Sequence, residues 1–544
     1  MADHDVIIIH PPAVFDFRRK PMFPGALGAS VEQVQFNKVP IGMLSLAEYL
    51  DRHGYRVMVD NLGDRMINSR TFNPEQHLKE LSAPIFAVGL HFQQHAQGAM
   101  EVAKLCKKLH PGSLVVMGGL TATRFHEEII RKYGFVDAVV RAEAEKPFLQ
   151  LVRALEKNGR LGDTPNLTYR TDDGEIRSTP LMPASTSLDE FEYTRFDLLE
   201  PQTSIYPVNA PPRWSLAVCR GCIYNCAICG GSAYSYKTYL GMERPAFRSP
   251  AKIITDIKKL NDQGVHFIGL FQDARMGGKK YWQELLTGLA REKVEIERLS
   301  LDLLVPADED FIRAAARIGR QVVMHLCPDT GSDQVRRRLG RPYTNEELLR
   351  TIRLCHKYRL PVTTFFSVGL AGETPEHVRE PWQLWEELAS LDRESQGAAL
   401  ADVPLGGPIV GPIVLDPGSP AFDQPEKHGY RLLYKNLEEY IEGLSQPSWH
   451  QWLNYATHHL DREALVDLIL ATVGFSIEQR TKLGLYDHYQ ALAERIRTAL
   501  DREVVKEVDQ IMGIDSGTER DAALAALKYR HESFLNRPIE SFLR

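Results

Sequence analysis

At 544 residues the chain has room for about three or four units of roughly 100–200 residues each. Hydrophobic residues make up 43% and charged residues 25%, a globular balance that excludes a disordered or fibrous chain. The net charge of −6 argues against a nucleic acid as the main partner, and basic runs such as Arg336-Arg337-Arg338 read as solvated helix faces.

In chain order, residues 1–162 alternate short apolar runs with amphipathic segments. Met1–Asp5 has no signal-peptide design, and Val6–Ile9 reads as a buried strand. Pro40–His53 reads as a helix with Ile41, Leu44, Ala47 and Leu50 on one face and Gly54 as its stop. Arg56–Val59, Ile85–Leu90, Leu114–Met117 and Ala138–Val140 follow as strands, with helices near Gly98–Leu109 and Arg124–Tyr133. This α/β alternation predicts a doubly wound, Rossmann-like parallel sheet that binds its ligand at the carboxyl ends of the strands. Those ends read His10-Pro11-Pro12, Asp60-Asn61, His91–Gln94 and Gly118–Thr123.

Residues 163–212 break the pattern and read as a linker. It contains a hairpin, Asn166–Arg170 and Glu175–Ser178 about Asp172-Asp173-Gly174, followed by a Pro-rich stretch. Over 213–405 the alternation returns. Candidate strands are Ser215–Val218, His266–Phe271, Leu299–Leu304, Gln321–Leu326, Val362–Gly369 and Ala398–Val403. Helices are expected at Pro250–Asn261, Lys279–Arg291, Glu309–Ile318 and Asn345–Tyr358. Six βα units predict a partial or full α/β barrel with its chemistry at the strand C-termini. Residues 406–544 are expected to be mostly helical after a loop, Gly406–Pro420, with Trp449, Trp452 and Tyr455 at helix-like spacing, read as helix core ahead of substrate contact. No apolar run approaches the roughly 18–20 residues of a membrane span, so a cytoplasmic protein without a transmembrane segment is expected.

There are seven cysteines, an odd number that does not suggest a disulfide framework. Four lie close together, at 219, 222, 226 and 229. Thiolates suit zinc or an iron–sulfur cluster. Zinc ribbons separate their two cysteine pairs by a dozen or more residues, and ferredoxin runs are spaced differently. A third reading uses Cys222, Cys226 and Cys229 alone, as CxxxCxxC, to hold three irons of a four-iron cluster and leave one open to a cosubstrate; a closed metal site without chemistry is the alternative. Cys219 falls outside that pattern and reads as structural.

CxxxCxxC after a first barrel strand resembles the radical S-adenosylmethionine (SAM) superfamily. The resemblance implies a 4Fe–4S cluster on Cys222, Cys226 and Cys229 that chelates SAM and cleaves it to a 5′-deoxyadenosyl radical. It also implies a flavodoxin- or ferredoxin-type electron donor. By the same resemblance Gly230, Gly231 and Ser232 are the loop at the SAM amine, Asp329 a ribose contact, and Gly369, in Val368–Thr374, a neighbour of the adenosyl group. Two departures are visible: Ile228 stands where an aromatic residue usually precedes the last cysteine, and Asp329-Thr330 where relatives have Glu-Ser.

The first domain resembles the cobalamin-binding domain ahead of many radical SAM barrels. Gly118, Gly119, Thr121, Ala122 and Thr123 match its glycine-rich turn, and small residues let backbone approach a flat macrocycle. Val140–Glu145 resembles the Gly-Glu-x-Glu segment with alanines for the glycines. No Asp-x-His-x-x-Gly motif follows the first strand, so cobalt without a protein histidine is expected, although His10, His91 and His95 lie near strand ends. Gly411–Phe422, Pro425–Tyr430 and Trp452–Thr457 resemble a subset that includes the pyrrole C-methylase of aminocoumarin pathways.

Together these resemblances imply a cobalamin-dependent radical SAM C-methyltransferase of a small, natural-product-like substrate. The alternatives are a cyclase or rearrangement enzyme on the same parts, a polar cobalamin methylase, and a non-catalytic cobalamin-binding or electron-transfer protein. Asp273 and Arg275, after the second barrel strand, read equally as cavity residues or as a rim salt bridge.

Overall fold

The computed structural model describes residues 3–15, 17–25, 38–157, 159–207, 210–292, 294–319, 321–374, 379–394, 409–482, 484 and 486–535. The first sheet contains β1 (Val6–His10), β2 (Val57–Asn61), β3 (Ile85–Gly89), β4 (Leu114–Gly118), β5 (Ala138–Val140), β6 (Leu167–Arg170), β7 (Ile176–Ser178) and β8 (Leu199–Glu200). Its order is β7-β6-β5-β4-β3-β1-β2-β8. β1 is buried along its whole length, as a continuous apolar run between helical layers must be. The chain runs from β1 to β2 on one side and then crosses to β3 on the other. The switch point between β1 and β3 is where an open α/β sheet offers a crevice to ligands. The hairpin of 163–212 extends this sheet with antiparallel β6 and β7, and β8 pairs parallel with β2.

The second sheet contains β9 (Arg213–Ala217), followed after a short antiparallel pair, β10 (Cys219–Arg220) and β11 (Ala246–Phe247), by β12 (Phe267–Phe271), β13 (Arg298–Leu303), β14 (Val322–Asp329), β15 (Val362–Val368) and β16 (Ile409–Pro412). All six large-sheet strands are parallel, in the order β16-β15-β14-β13-β12-β9, an open six-stranded barrel. Most of the expected strands fall where their apolar runs put them. The sixth differs. Ala398–Val403 lies outside the described residues, and β16 forms inside the stretch read as a loop. Its sequence, Ile-Val-Gly-Pro, is too short and too rich in Gly and Pro to read as a strand alone, and pairing with β15 creates it.

One apolar core runs from a face of the first sheet into the shell of the barrel. It joins Ile8, Leu44 and Leu50 to Trp214, Leu216 and Leu285. The stretch after the hairpin fills it with Leu188, Phe191, Tyr193 and Phe196. The C-terminal region is mostly helical, with long helices at Arg462–Lys482, His488–Met512 and Gly517–Leu535. It also carries an antiparallel pair, β17 (Tyr430–Leu432) and β18 (Tyr455–Thr457). The aromatic stripe is therefore not one helix: Trp449–Trp452 is a single 3₁₀ turn and Tyr455 belongs to β18, although Trp449 and Tyr455 are both buried. Among the described residues no helix is long and apolar enough to cross a membrane.

Candidate active site

The cysteine loop leaves the barrel mouth directly after β9. Cys222, Cys226 and Cys229 are partly accessible, whereas Cys219 is buried on β10 with its Sγ 3.6 Å from the Gly221 carbonyl. Tyr224 N–H donates to Cys222 Sγ at 3.4 Å and Gly231 N–H to Cys229 Sγ at 3.3 Å, bonds that suit sulfur carrying negative charge. Burial pushes the Cys229 thiol up to about 12, with the neighbouring Asp416, Cys226 and Cys222 adding to the shift, so a cation is needed to hold it as thiolate. Among the described residues no three His, Cys, Asp or Glu side chains converge on one ion. What the loop offers a cluster is three partly accessible sulfurs in one short loop, two of them accepting backbone N–H groups.

The loop is clamped from two sides. Ala227 N–H donates to the Leu339 carbonyl at 2.8 Å, and Gly340, with φ +94°, lets Asn225 pack against it. From the C-terminal region, Asp416 accepts from Gly230 N–H at 2.9 Å and donates its own N–H to the Ile228 carbonyl at 3.2 Å. A Cβ on Gly230 would lie 2.9 Å from Asp416 Cβ, so glycine admits the carboxylate. Ser232 caps the helix Ala233–Leu240, accepting from Ser235 N–H, and is buried.

The other expected SAM-side residues sit at the ends of β14 and β15. Asp329 has φ +59°, lies 2.9 Å from Arg341 Nε and accepts from Ser367 at 3.2 Å. Gly369 has φ +85°, and a Cβ there would lie 2.6 Å from both Leu465 Cδ2 and Tyr455 Oη. Glu373 accepts from the N–H groups of Gly369 and Leu370, and burial pushes it up to about 7. Asp273 and Arg275 form a rim salt bridge, with Arg275 also donating to the Val305 and Pro306 carbonyls.

In the first sheet, Gly118 ends β4 and Gly119 has φ +112°, with room for a Cβ excluded by the Leu90 carbonyl at 2.6 Å. Ala122 is buried. Thr121 donates to the His91 carbonyl at 3.0 Å, and Thr123 accepts from Ala142 N–H at 3.1 Å. These two hydroxyls shape the turn from inside. At the β1/β3 switch point the His10 and His95 rings lie 4.9 Å apart, and burial lowers His91 to about 4, leaving it neutral. Gln93 is buried there, and its side-chain amide makes no hydrogen bond among the described residues. A buried orphan amide beside a turn that excludes Cβ atoms fits an amide-rimmed macrocycle.

Sequence reading missed what joins the two regions. Arg220, between Cys219 and the cluster motif, pairs with Glu143 at 2.8 Å and Glu145 at 2.6 Å, so the acidic segment after β5 clamps the barrel. Asp423 accepts from Arg124, Tyr234 and Tyr239 at 3.2, 3.1 and 2.6 Å. Arg124 belongs to the helix after Gly119, and the two tyrosines to the helix after the cysteine loop. Residues 416–423 thus touch both regions. The signal in the sequence was Asp416-Pro417-Gly418, inside the Gly411–Phe422 segment.

Two family models match this chain: the radical SAM superfamily over residues 216–380 and the B12 binding domain over residues 29–152. An uncharacterized methyltransferase of Pyrococcus horikoshii is 26% identical over 52% of this chain and 59% of its own length. An anaerobic magnesium-protoporphyrin IX monomethyl ester cyclase of Rubrivivax gelatinosus is 23% identical over 65% of this chain and 62% of its own. The chain thus spans about six-tenths of these relatives. The fold is similar to that of the radical SAM methyltransferase TsrM of Kitasatospora setae, solved with cobalamin and a 4Fe–4S cluster. The TM-score is 0.60 at 16% identity, covering 93% of this chain and 100% of that one. A radical SAM domain over 216–380 and a B12 binding domain over 29–152 imply a 4Fe–4S cluster, SAM and cobalamin as the cofactors of this chain.

Proposed function

We propose that this protein is a cobalamin-dependent radical SAM C-methyltransferase of a small molecule, with Cys222, Cys226 and Cys229 as the cluster's thiolate ligands. The reading rests chiefly on segment 416–423, which ties the glycine-rich turn of the first sheet to the cysteine loop of the barrel. The bound cofactors supply reductive cleavage of SAM and a transferable methyl group. The protein's own residues hold the geometry. Gly231 and Tyr224 N–H groups stabilise charge on sulfur, Gly230 makes room for Asp416, and Arg220 locks the two domains together. Gly230, Gly231, Ser232, Asp329 and Gly369 outline the SAM side, and Gly118, Gly119, Thr121, Ala122 and Thr123 the cobalamin side. Of these, Ser232, Gly369, Thr121 and Thr123 act through backbone shape, since their side-chain positions are filled or bonded internally.

Electrons come from a flavodoxin- or ferredoxin-type donor in the cytoplasm. Replacing Cys222, Cys226 or Cys229 by Ala is expected to abolish SAM cleavage, and a single variant that still forms 5′-deoxyadenosine defeats the ligand assignment. Wild-type turnover is expected to yield both 5′-deoxyadenosine and S-adenosylhomocysteine. The cyclases among the relatives favour a second reading, ring formation without methyl transfer. That reading gives 5′-deoxyadenosine without matching S-adenosylhomocysteine. A polar methylase gives the reverse.

A further inference from the structure

The barrel lumen carries a polar group that neither the cluster loop nor the first sheet uses. Along β13 the odd residues Leu299, Leu301 and Leu303 are buried in the core among the outer helices. Strand alternation turns the intervening Ser300 and Asp302 the other way, into the lumen. Asp302 pairs in register with His325 on β14, and His325 with Thr363 on β15, so three polar side chains form one row across adjacent strands. His325 Nδ1 lies 3.7 Å from Asp302 Oδ1, and both side chains keep about a quarter of their surface accessible, 27% and 28%. Thr363 is 6% exposed, and its hydroxyl makes no hydrogen bond among the described residues. Gln272, held at φ +77°, donates its N–H to Asp302 Oδ2 at 3.0 Å and fixes the carboxylate.

The neighbouring acids near the strand ends are each paired with a cation: Asp273 with Arg275, and Asp329 with Arg341. Among the described residues Asp302 forms no ion pair with a lysine or arginine; its partner is the His325 imidazole, which burial, with Arg298 adding, lowers to about 4 and so keeps uncharged at neutral pH. Its own carboxyl, raised by burial to about 6, is mainly ionised there. Two aromatic rings flank the row. Phe365 packs edge-on to His325 with centroids 5.8 Å apart, and Phe271, one residue past the Leu270–Leu301 pair, is 50% exposed. A carboxylate without a cation, a free hydroxyl and aromatic faces make a receptor for a positively charged nitrogen on an apolar body.

We propose that Asp302, His325 and Thr363 anchor the substrate, and that the substrate is a cationic amine with an aromatic or apolar body; this rests on the methyltransferase reading above. The test uses the holoprotein under anaerobic conditions, with phenethylammonium, phenethyl alcohol and phenylacetate as probes in titration calorimetry. The cation is expected to bind at least about tenfold more tightly than the alcohol, the worth of one charge-assisted hydrogen bond, and the anion least of all. Asp302→Asn is expected to erase the preference for the cation, while Thr363→Val weakens all donors a few-fold and keeps the charge preference. Thermal midpoint and cobalamin absorbance check that each variant is folded and loaded. Equal binding of the three probes, no binding of the cation, or an unchanged preference in Asp302→Asn overturns the proposal, and if that variant does not fold, an unchanged profile in Thr363→Val does so. A protein that prefers the cation yet never forms S-adenosylhomocysteine refutes the methyltransferase reading and leaves the anchor standing.

Discussion

Gly369 shows how much one missing methyl group can decide. Its φ of +85° and the 2.6 Å approach of Leu465 and Tyr455 leave no room for a side chain. Gly369→Ala is expected to destabilise the fold by about 2–3 kcal/mol, combining left-handed strain with overpacking, read as a lower urea midpoint. Gly119→Ala meets backbone instead, the Leu90 carbonyl and His91, which cannot rotate away. It is expected to displace the turn and to lower cobalamin retained after gel filtration, with the cluster's absorbance unaffected. The sequence made both glycines legible as turn residues, because glycine before a helix or after a strand end implies unusual backbone. It did not say what presses on them, since Leu465 and Tyr455 reach Gly369 from far along the chain, and Leu90 and His91 reach Gly119 from just after β3. The same holds for Asp329, whose expected ribose-binding carboxylate is already engaged by Arg341 and Ser367.

Between elements, a charged joint sets β10 against the segment after β5. Arg220 is 18% accessible and Glu145 3%, and Ser45 donates to the same carboxylate at 2.7 Å. Burial raises Glu145, but Arg220 and Ser45 more than offset it and leave the carboxyl below its ordinary range. Arg220→Met strands two carboxylates in a nearly dry joint and is expected to cost about 3–5 kcal/mol in chemical denaturation, with Arg220→Lys losing less. This joint was hidden in the sequence because an ion pair 75 residues apart leaves no local pattern. The parallel strands were legible because a strand buried on both faces must be a short apolar run. β16 was not, because its strand character comes from its neighbour.

Across the whole molecule, burial lowers His91, His126 and His325 to about 4. In the unfolded chain these imidazoles take up protons near pH 6.5, so between about 6.5 and 4 the unfolded state binds more protons than the folded one. Stability is therefore expected to fall as pH drops through that window and to level off, for this contribution, below 4. Urea midpoints at pH 7, 6 and 5 check this, and His126→Gln should flatten its share of the slope. A different consequence concerns how the molecule is made. The last barrel strand and the segment seated on the cysteine loop, 409–412 and 416–423, are synthesised after everything they complete. Until they emerge from the ribosome, β15 offers an unpaired apolar edge, and Gly230 lacks the carboxylate that holds it. A translation product stopping before residue 409 is expected to pair its open edge with other molecules and collect in the insoluble fraction.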